Sequence, residues 1–275
     1  MGTNFCWRRI FLTTVLVNGA CGRMGQAVLK AVQDDADLKL VGAVDLTGGA
    51  DAGELVGLPH AGVTVETDLA AALARLHPEV MVDFTRPDVV FENVKTALAA
   101  KVSPVVGTTG LTDAQKDEIR KLAEANDTPA FIAPNFAIGA VLMMVMAKQA
   151  AKYMPDVEII ELHHDKKLDA PSGTAVQTAQ MIAEVRAAHQ QGHPDEKEKL
   201  AGARGANIDG MHIHSVRLPG YVAHQEVIFG GLGQTLSIRH DSMNRESFMP
   251  GVVLAAKKVR SLTGLTVGLD KLLEF

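Results

Sequence analysis

The densest group of chemically useful side chains spans residues 161 to 175, Glu-Leu-His-His-Asp-Lys-Lys-Leu-Asp-Ala-Pro-Ser-Gly-Thr-Ala. Two histidines and two lysines follow a strand-like run, and Ser-Gly-Thr opens a helical pattern. The backbone N–H groups of Gly173 and Thr174, with the Thr174 hydroxyl, would hold a carboxylate at the positive end of that helix. A lysine and a histidine would bind or protonate the rest of the ligand. The segment therefore predicts a site for a small dianion.

Three other interpretations of this segment stay open at this point. Ser172 has the residue type of a helix N-cap, with or without a ligand. His163 and His164 would form a metal site with His212 and His214, which lie two apart on a strand-like run and so share a face. Because no carboxylate or cysteine stands at a familiar ligand spacing, we expect no metal. The third interpretation is a solvated charged loop.

A second candidate site is the glycine loop Gly19-Ala20-Cys21-Gly22-Arg23-Met24-Gly25, which follows a strand-like run and opens a helix. Gly19 permits the tight turn, Gly22 lets a pyrophosphate approach the backbone, and Gly25 allows close packing of helix on strand. The helix N-terminus adds N–H donors and a partial positive charge. The loop predicts a dinucleotide site. The loop residues expected to bind the cofactor are Gly19, Ala20, Cys21, Gly22, Arg23 and Met24.

An acidic residue stands twenty positions beyond the loop, at the end of the second strand-like run. This residue, Asp45, can accept hydrogen bonds from the adenosine ribose hydroxyls. Leu46 follows it, and the lack of an adjacent arginine favours NAD over NADP. Arg23 leaves the choice open, because a guanidinium in the loop can also bind a phosphate. The alternative is that Asp45 only caps a turn.

Two further loops follow strand-like runs in the same half of the chain. They are Gly107-Thr108-Thr109-Gly110 and Ala133-Pro134-Asn135-Phe136. Because ligands bind at the carboxyl ends of the strands in an open parallel sheet, both loops are expected to face the nicotinamide half of the cofactor. The residues assigned to the cofactor here are Gly107, Thr108, Thr109, Ala133, Pro134, Asn135 and Phe136.

The order of the patterns predicts a two-domain α/β protein. Up to Asn135, strand-like runs alternate with amphipathic helices, which indicates a Rossmann-type parallel sheet. Strand-like runs then follow one another over 211–240, which predicts an α+β domain with a mainly antiparallel sheet. The last 30 residues have a helical pattern and are expected to rejoin the first domain. The expected domains are 13–135 with 245–275 for the dinucleotide, and 136–244 for substrate and oligomerisation.

Composition excludes several classes of function. The chain has 275 residues and a net charge of −5, without a long Lys/Arg run, which argues against a nucleic-acid surface. The two cysteines, Cys6 and Cys21, are too few for a disulfide framework and fit a reducing compartment. Arg8 and Arg9 precede an apolar run that superficially resembles an export signal, but it is far short of the roughly 20 residues that span a bilayer. We expect a cytoplasmic protein, without membrane or nucleic-acid partners, whose residues 1–12 form a loose extension.

These motifs together resemble the dihydrodipicolinate reductase family, also called 4-hydroxy-tetrahydrodipicolinate reductases, of lysine and diaminopimelate biosynthesis. The resemblance runs from Val15 to the C-terminal helix. Its motifs are the glycine loop, Asp83-Phe84-Thr85-Arg86-Pro87, Gly107-Thr108-Thr109-Gly110, Ala133-Pro134-Asn135-Phe136, His163 through Ala175, Arg217-Leu218-Pro219-Gly220 and His224-Gln225-Glu226. The chain departs from the family in its extra N-terminal residues and in Cys21, which stands at a small-residue position.

The resemblance implies hydride transfer from NAD(P)H to a cyclic dicarboxylate by a homotetramer whose second domains share a central sheet. It implies that His163 is a proton donor and acceptor and that Lys167 is the general acid. It also implies that His164, Gly173 and Thr174 contact the substrate carboxylates. Lys166 falls at a variable position, so we expect Lys167 to carry the chemistry.

Two alternatives belong to other classes of protein. A semialdehyde dehydrogenase of similar layout needs a thiolate nucleophile in its catalytic half, and no cysteine follows Cys21. A nucleotide-sensing protein would keep the cofactor domain alone, which the segment from His163 to Thr174 argues against. Cys21 also suggests that oxidation of its thiol would impair cofactor binding.

Overall fold

The computed structural model describes residues 12–187 and 191–274, which divide into two compact units. The first unit holds the described chain up to Phe136 and from Phe248 onward, and the second holds Ala137–Ser247. The expected loose extension, except Leu12, lies outside the described residues. The predicted divisions after residues 135 and 244 lie one and three positions from those of the structure.

The described elements follow one another in three stretches of the chain. The first is β1 (Thr13–Asn18), α1 (Arg23–Asp34), β2 (Leu38–Val44), β3 (Val65–Glu66), α2 (Leu69–Leu76), β4 (Val80–Asp83), α3 (Val90–Ala99), β5 (Ser103–Val106), α4 (Asp113–Ala125) and β6 (Ala130–Ile132). The second is α5 (Ile138–Ala150), β7 (Asp156–His163), α6 (Gly173–Ala183), β8 (Ala206–Ile208), β9 (Met211–Arg217), β10 (Ala223–Gly231) and β11 (Gln234–Ser242). The third is α7 (Met249–Lys258) and β12 (Leu265–Val267).

The first unit is a parallel sheet in the order β12-β6-β5-β4-β1-β2-β3. Its central strands are apolar along most of their length because helices cover both faces of such a sheet. One core cluster joins α3 and α4 to the strands around β5, and another joins α2 to β1 and β4. The Rossmann-type class predicted for this part of the chain is confirmed.

Three short elements of this unit were not predicted. The helix α2 begins after Asp68, whose side chain accepts a hydrogen bond from the Ala71 N–H, a capping signal that the sequence contains. The strands β3 and β12 have no such local signal in the sequence. Over β12 the prediction of a helical C-terminus is wrong, because Leu265–Val267 lies between two glycines with positive φ and pairs with β6.

The second unit is a five-stranded sheet in the order β11-β10-β7-β9-β8. Three of its four pairings are antiparallel, which confirms the mainly antiparallel sheet. The exception is β7 with β9, which run parallel because α6 and a long connection return the chain to the same end. The polar stretch predicted over 190–209 contains the short strand β8, and α6 ends at Ala183 rather than at residue 188.

One face of this sheet carries the core of the unit. Side chains of β7 alternate between the two faces, and Val157, Ile159 and Glu161 point to the buried one. The helices α5 and α6 pack on this face. The described chain contains no helix that is both long enough and apolar enough to cross a membrane.

Candidate functional site

The glycine loop joins β1 to α1 through a tight turn. Gly19 adopts φ +84°, which favours glycine. Gly25 packs so closely against this turn that a Cβ atom there would lie 1.9 Å from the Gly19 carbonyl oxygen. The N-cap residue Gly22 supplies no side-chain hydrogen bond to α1, so the first N–H groups of the helix can bind an anion. This arrangement fits the pyrophosphate of a dinucleotide.

Asp45, just after β2, holds the glycine loop by its backbone. Its Oδ2 accepts a hydrogen bond from the Cys21 N–H at 2.8 Å, and its Oδ1 accepts one from the Leu46 N–H at 2.7 Å. Asp45 therefore does cap a turn. Each carboxylate oxygen can accept a second hydrogen bond, so binding of the ribose hydroxyls stays a prediction.

Cys21 lies in the loop with its thiol close to the backbone of Thr47. The Sγ atom is 3.4 Å from the Thr47 carbonyl oxygen. Burial and the charge of Asp45 raise the pKa of Cys21, and a raised pKa lowers the fraction of reactive thiolate. This environment argues against the oxidation sensitivity suggested for Cys21.

A cavity of about 470 Å³ opens beside the loop, a volume typical of sites for small ligands. It is lined by Asn18, Gly19, Cys21, Gly22, Val44, Asp45, Leu46, Thr67, Leu69, Phe84, Thr85, Arg86, Val89 and Asn93. The structure thus brings most of the predicted glycine loop together with Asp45. Two loop residues differ in exposure, because Ala20 is buried and Arg23 is exposed.

Asp83, which had no predicted role, connects several loops of this unit. Its fully buried carboxylate accepts hydrogen bonds from the side chains of Asn18, Asn93, Thr85 and Thr108 at 2.8–2.9 Å. These donors come from the ends of β1, β4 and β5 and from α3. The sequence feature that could have identified Asp83 is an ionisable residue at the end of an apolar strand-like run.

The Phe84 ring lies next to both of the other predicted cofactor loops. A Cβ atom at Gly107 would lie 2.2 Å from the Phe84 ring, and the rings of Phe84 and Phe136 are 5.8 Å apart. The remaining loop residues differ in exposure: Ala133 is buried, Asn135 is partly exposed, and Thr109 and Pro134 are exposed. The predicted residues around Phe84 therefore lie at one end of the sheet, with their roles toward a cofactor still a prediction.

In the second unit, His163 and Arg217 converge on Glu161. The Glu161 side chain is fully buried, and its two oxygens accept hydrogen bonds from Arg217 at 2.7 and 2.9 Å. Nδ1 of His163 contacts the same carboxylate. Burial raises the pKa of Glu161, but hydrogen bonds from His163, Arg217 and Ser215 outweigh that effect and bring the pKa to about 2. His163 is therefore anchored on an ionised carboxylate.

Lys167 lies in the loop between β7 and α6, and its ammonium pairs with Asp169. The Nζ–Oδ1 distance is 2.7 Å, and four-fifths of the Lys167 side chain is covered. The hydrogen bond from Lys167 lowers the pKa of Asp169. Lys166 and His164 are exposed in the same loop. Lys167 is therefore the lysine of this pair that the fold holds in place.

The N-terminus of α6 has the features predicted for a carboxylate site. The Ser172 hydroxyl accepts a hydrogen bond from the Ala175 N–H at 3.2 Å, so Ser172 is an N-cap. The next residue, Gly173, is exposed, and a Cβ atom there would meet no atom within 4 Å. Thr174 is partly exposed. The backbone of Gly173 is thus open to a ligand beside a capped helix end.

The histidines considered as metal ligands lie in two separate groups. His212 and His214 stack with ring centroids 6.5 Å apart, and His214 Nε2 is 2.8 Å from a carboxylate oxygen of Glu158. His163 contacts Glu161 instead. Among the described residues, no three His, Cys, Asp or Glu side chains converge as a metal site requires.

A Rossmann-type unit with a glycine loop and a second unit carrying an anchored histidine and a paired lysine define a two-domain NAD(P)-dependent oxidoreductase. Comparisons with known proteins identify its family. Residues 13–136 match the model described as "Dihydrodipicolinate reductase, N-terminus", and residues 139–273 match "Dihydrodipicolinate reductase, C-terminus". The chain belongs to the dihydrodipicolinate reductase family.

Individual relatives are similar over nearly their whole length. The chain is 55% identical to the 4-hydroxy-tetrahydrodipicolinate reductase of Desulfitobacterium hafniense (strain DSM 10664 / DCB-2) over 262 residues, covering 94% of this chain and 98% of the relative. It is 54% identical to that of Shouchella clausii, covering 96% and 100%. A dipicolinate-bound dihydrodipicolinate reductase from Paenisporosarcina sp. TG-14 superposes with a TM-score of 0.86 at 49% identity, covering 95% and 100%.

Proposed function

We propose that this chain is a 4-hydroxy-tetrahydrodipicolinate reductase in which His163 and Lys167 transfer protons to and from the substrate. The reaction replaces a hydroxyl group with hydrogen, so one hydride and one proton enter and one water leaves. The observation that carries the assignment of roles is the anchoring of His163 on buried Glu161, beside the loop of Lys167. Anchored groups of this kind are what general acid–base catalysis needs.

The substrate carboxylates are assigned to the loop and the N-terminus of α6. The N–H groups of Gly173 and Thr174 and the Thr174 hydroxyl hold one carboxylate, and His164 contacts the other. The positive end of the helix stabilises the negative charge. Holding the substrate by its carboxylates orients the ring so that its acceptor carbon is presented in one geometry. The Paenisporosarcina relative carries dipicolinate, which is itself a dicarboxylate.

Lys167 and His163 are the two residues assigned to proton transfer. Lys167 Nζ, which pairs with the Asp169 carboxylate, donates its proton as the hydroxyl leaves. His163 Nε2 takes a proton from the substrate as water is lost and returns it once the hydride has been added, so that one proton enters in all. Nε2 is the nitrogen that does this because Nδ1 faces the ionised Glu161. The two side chains thus act as a pair of proton-transfer groups on one loop and its preceding strand.

NAD(P)H is the cofactor of this reductase, and it supplies the hydride when bound. The residues that would hold it are the glycine loop Gly19–Met24 and Asp45, and the fit rests on the close approach of Gly25 to Gly19 and the uncapped end of α1. The loops Gly107–Thr109 and Ala133–Phe136 are assigned to its nicotinamide half. Together these residues bind and orient the cofactor at one end of the sheet.

The assay that tests this function supplies the protein with the product of the synthase that makes 4-hydroxy-tetrahydrodipicolinate. Oxidation of NADH and of NADPH is followed with and without that product. We expect oxidation that depends on the cyclic dicarboxylate. If neither cofactor is oxidised, the proposed function is wrong.

Cofactor preference is expected to respond to Leu46. Its side chain is 79% exposed beside Asp45, and a 2′-phosphate there would meet a carboxylate and no cation from either residue. In Leu46→Arg, a guanidinium can pair with the phosphate, so we expect kcat/KM for NADPH relative to NADH to rise about tenfold. The matched control is Leu46→Met, which adds no charge. An unchanged ratio in Leu46→Arg, or a loss of NADPH use in Arg23→Ala, would instead assign the phosphate to Arg23.

A cytoplasmic homotetramer is proposed for the assembly. The face of the second sheet opposite α5 and α6 carries half-buried apolar side chains, and these are Ile160, Leu162, Val216 and Ile228. Burying this face against other copies would remove apolar area from water. Light scattering on the eluting protein should give the mass of four chains, and the mass of one chain would contradict the proposal.

A further inference from the structure

Glu161 is a buried carboxylate to which the proposed mechanism assigns no contact with substrate. It stands on the core face of β7, next to Ile159 on the helix-covered side. Hydrophobic side chains normally fill such positions, and a carboxylate is stable there only when donors satisfy it. Its donors are Arg217, His163, the Ser215 side chain and the Ser172 N–H. The cost of burying this charge indicates a role beyond packing.

The donors are divided between the two oxygens of Glu161. Oε1 accepts from Arg217 Nη2 at 2.7 Å and from the Ser172 N–H at 3.2 Å. Oε2 accepts from Arg217 Nη1 at 2.9 Å and faces Nδ1 of His163. An ionised carboxylate has no proton to donate, so Nδ1 must carry the hydrogen. The other ring nitrogen, Nε2, is then the one that exchanges protons with a ligand.

Arg217 extends the same network to the loop that carries Lys167. Its Nη2 also donates to the Asp169 carbonyl oxygen at 2.7 Å, and the Asp169 carboxylate holds Lys167. Ser172, bonded to Glu161, caps α6. One carboxylate is therefore connected to His163, to the Lys167 loop and to the start of α6.

The charged groups facing this carboxylate come from few elements. Arg217 approaches from β9, and Lys167 and Asp169 lie in the loop. From β10, the residues opposite Glu161 and His163 are Gln225 and Ala223, which carry no charge. Among the described residues, Glu161 is the carboxylate that His163 contacts directly.

We propose that Glu161 is a positioning residue that fixes His163 with Nδ1 protonated. Through Arg217 and Ser172 it also holds the Lys167 loop and the start of α6 in position. This inference rests on the proposed function for the role of His163. Removing the charge should therefore slow proton transfer more than it weakens substrate binding.

The test compares Glu161→Gln, His163→Gln and the double variant. At the Oε1 position the amide NH2 of glutamine would face two donors, Arg217 Nη2 and the Ser172 N–H, so it is expected at the Oε2 position. There it faces Nδ1 of His163, to which it would donate, and the ring proton would move to Nε2. We expect Glu161→Gln to lower kcat about 10- to 100-fold, within the contribution of one proton-transfer group, with a smaller change in KM. We also expect the alkaline limb of the kcat–pH profile to move to lower pH.

In the His163→Gln background, adding Glu161→Gln should change kcat by no more than about twofold, because coupled residues are not additive. An equal loss in both backgrounds would assign Glu161 a structural role and overturn the proposal. A kcat for Glu161→Gln within about twofold of wild type would overturn it as well. Should Glu161→Gln fail to fold by circular dichroism, Glu161→Asp in the same cycle is judged by the same criteria.

Glu158→Gln is the matched control. Glu158 lies on the same strand and also binds an arginine and a histidine, Arg204 and His214, but on the other face. We expect its kcat and pH profile to stay near wild type. Turnover by wild type and this control shows that the proposed function holds, whatever Glu161 does. Nitrogen-15 NMR of the His163 ring, assigned by its loss in His163→Gln, tests the tautomer without activity; an Nε2–H tautomer in wild type would overturn the inference.

Discussion

Replacing Lys167 with alanine is expected to lower kcat by about 10²- to 10⁴-fold, the usual contribution of a positioned general acid. Most of the Lys167 side chain is covered, and its ammonium is paired with Asp169. We therefore expect no exposed side chain of the loop to replace it as the proton donor. The glycine loop lies in the other unit and is unchanged, so the affinity for NADH should stay within about twofold of wild type. Stopped assays give kcat, and fluorescence titration gives the Kd for NADH.

Lys166→Ala is the control for this prediction, because Lys166 is an exposed lysine in the same loop. We expect Lys166→Ala to keep the wild-type kcat and His163→Ala to lose activity to a similar degree as Lys167→Ala. Full activity in both Lys167→Ala and His163→Ala would contradict the roles assigned to them. A loss of activity in Lys166→Ala, with full activity in Lys167→Ala, would assign the role of general acid to Lys166 instead of Lys167.

Replacing Gly25 with alanine is expected to weaken NADH binding by at least about tenfold, which is about 1.4 kcal/mol. In an ordinary helix the same change would stabilise the protein by about 0.5–1 kcal/mol. Here the new Cβ would lie 1.9 Å from the Gly19 carbonyl oxygen, about 1.5 Å inside normal contact. The turn at Gly19 must move away, and the N–H groups that would hold the pyrophosphate move with it.

The measurement is the Kd for NADH by calorimetry, with thermal unfolding recorded for each variant. Gly230→Ala is the matched control, since a Cβ there meets its nearest atom at 3.9 Å. We expect Gly230→Ala to bind NADH as wild type does. Wild-type affinity in a folded Gly25→Ala protein would show that the loop does not hold the cofactor.

The parts of the fold that local patterns specify could be predicted from the sequence. The glycine loop combines a strand, a turn and a helix start within one short stretch, and its geometry follows from which positions lack a Cβ atom. The strand β12 could not be predicted, because Leu265–Val267 is three residues long and is a strand only through its pairing with β6. Its state depends on distant residues that a local pattern does not include.

The candidate site divides in the same way. Residue types and order singled out the segment and the N–H of Gly173, and the family resemblance singled out His163 and Lys167 within that segment. Glu161 was missed because a single glutamate on a strand does not indicate what it faces. Its role depends on Arg217, which lies 56 positions away and meets it only after β7 and β9 pair. Asp83 is a second case, since its donors come from four segments of the chain.

A reductase of this kind passes a hydride from the nicotinamide to the cyclic dicarboxylate, and that transfer can be followed with an isotope. The most direct test uses NADH deuterated at the transferred position, with 4-hydroxy-tetrahydrodipicolinate as substrate, and mass spectrometry of the product. We expect tetrahydrodipicolinate that carries one deuterium, and about 10²- to 10⁴-fold less of it from Lys167→Ala in the same time. Product without deuterium, or consumption of NADH without this product, would show that the chain does not catalyse this hydride transfer.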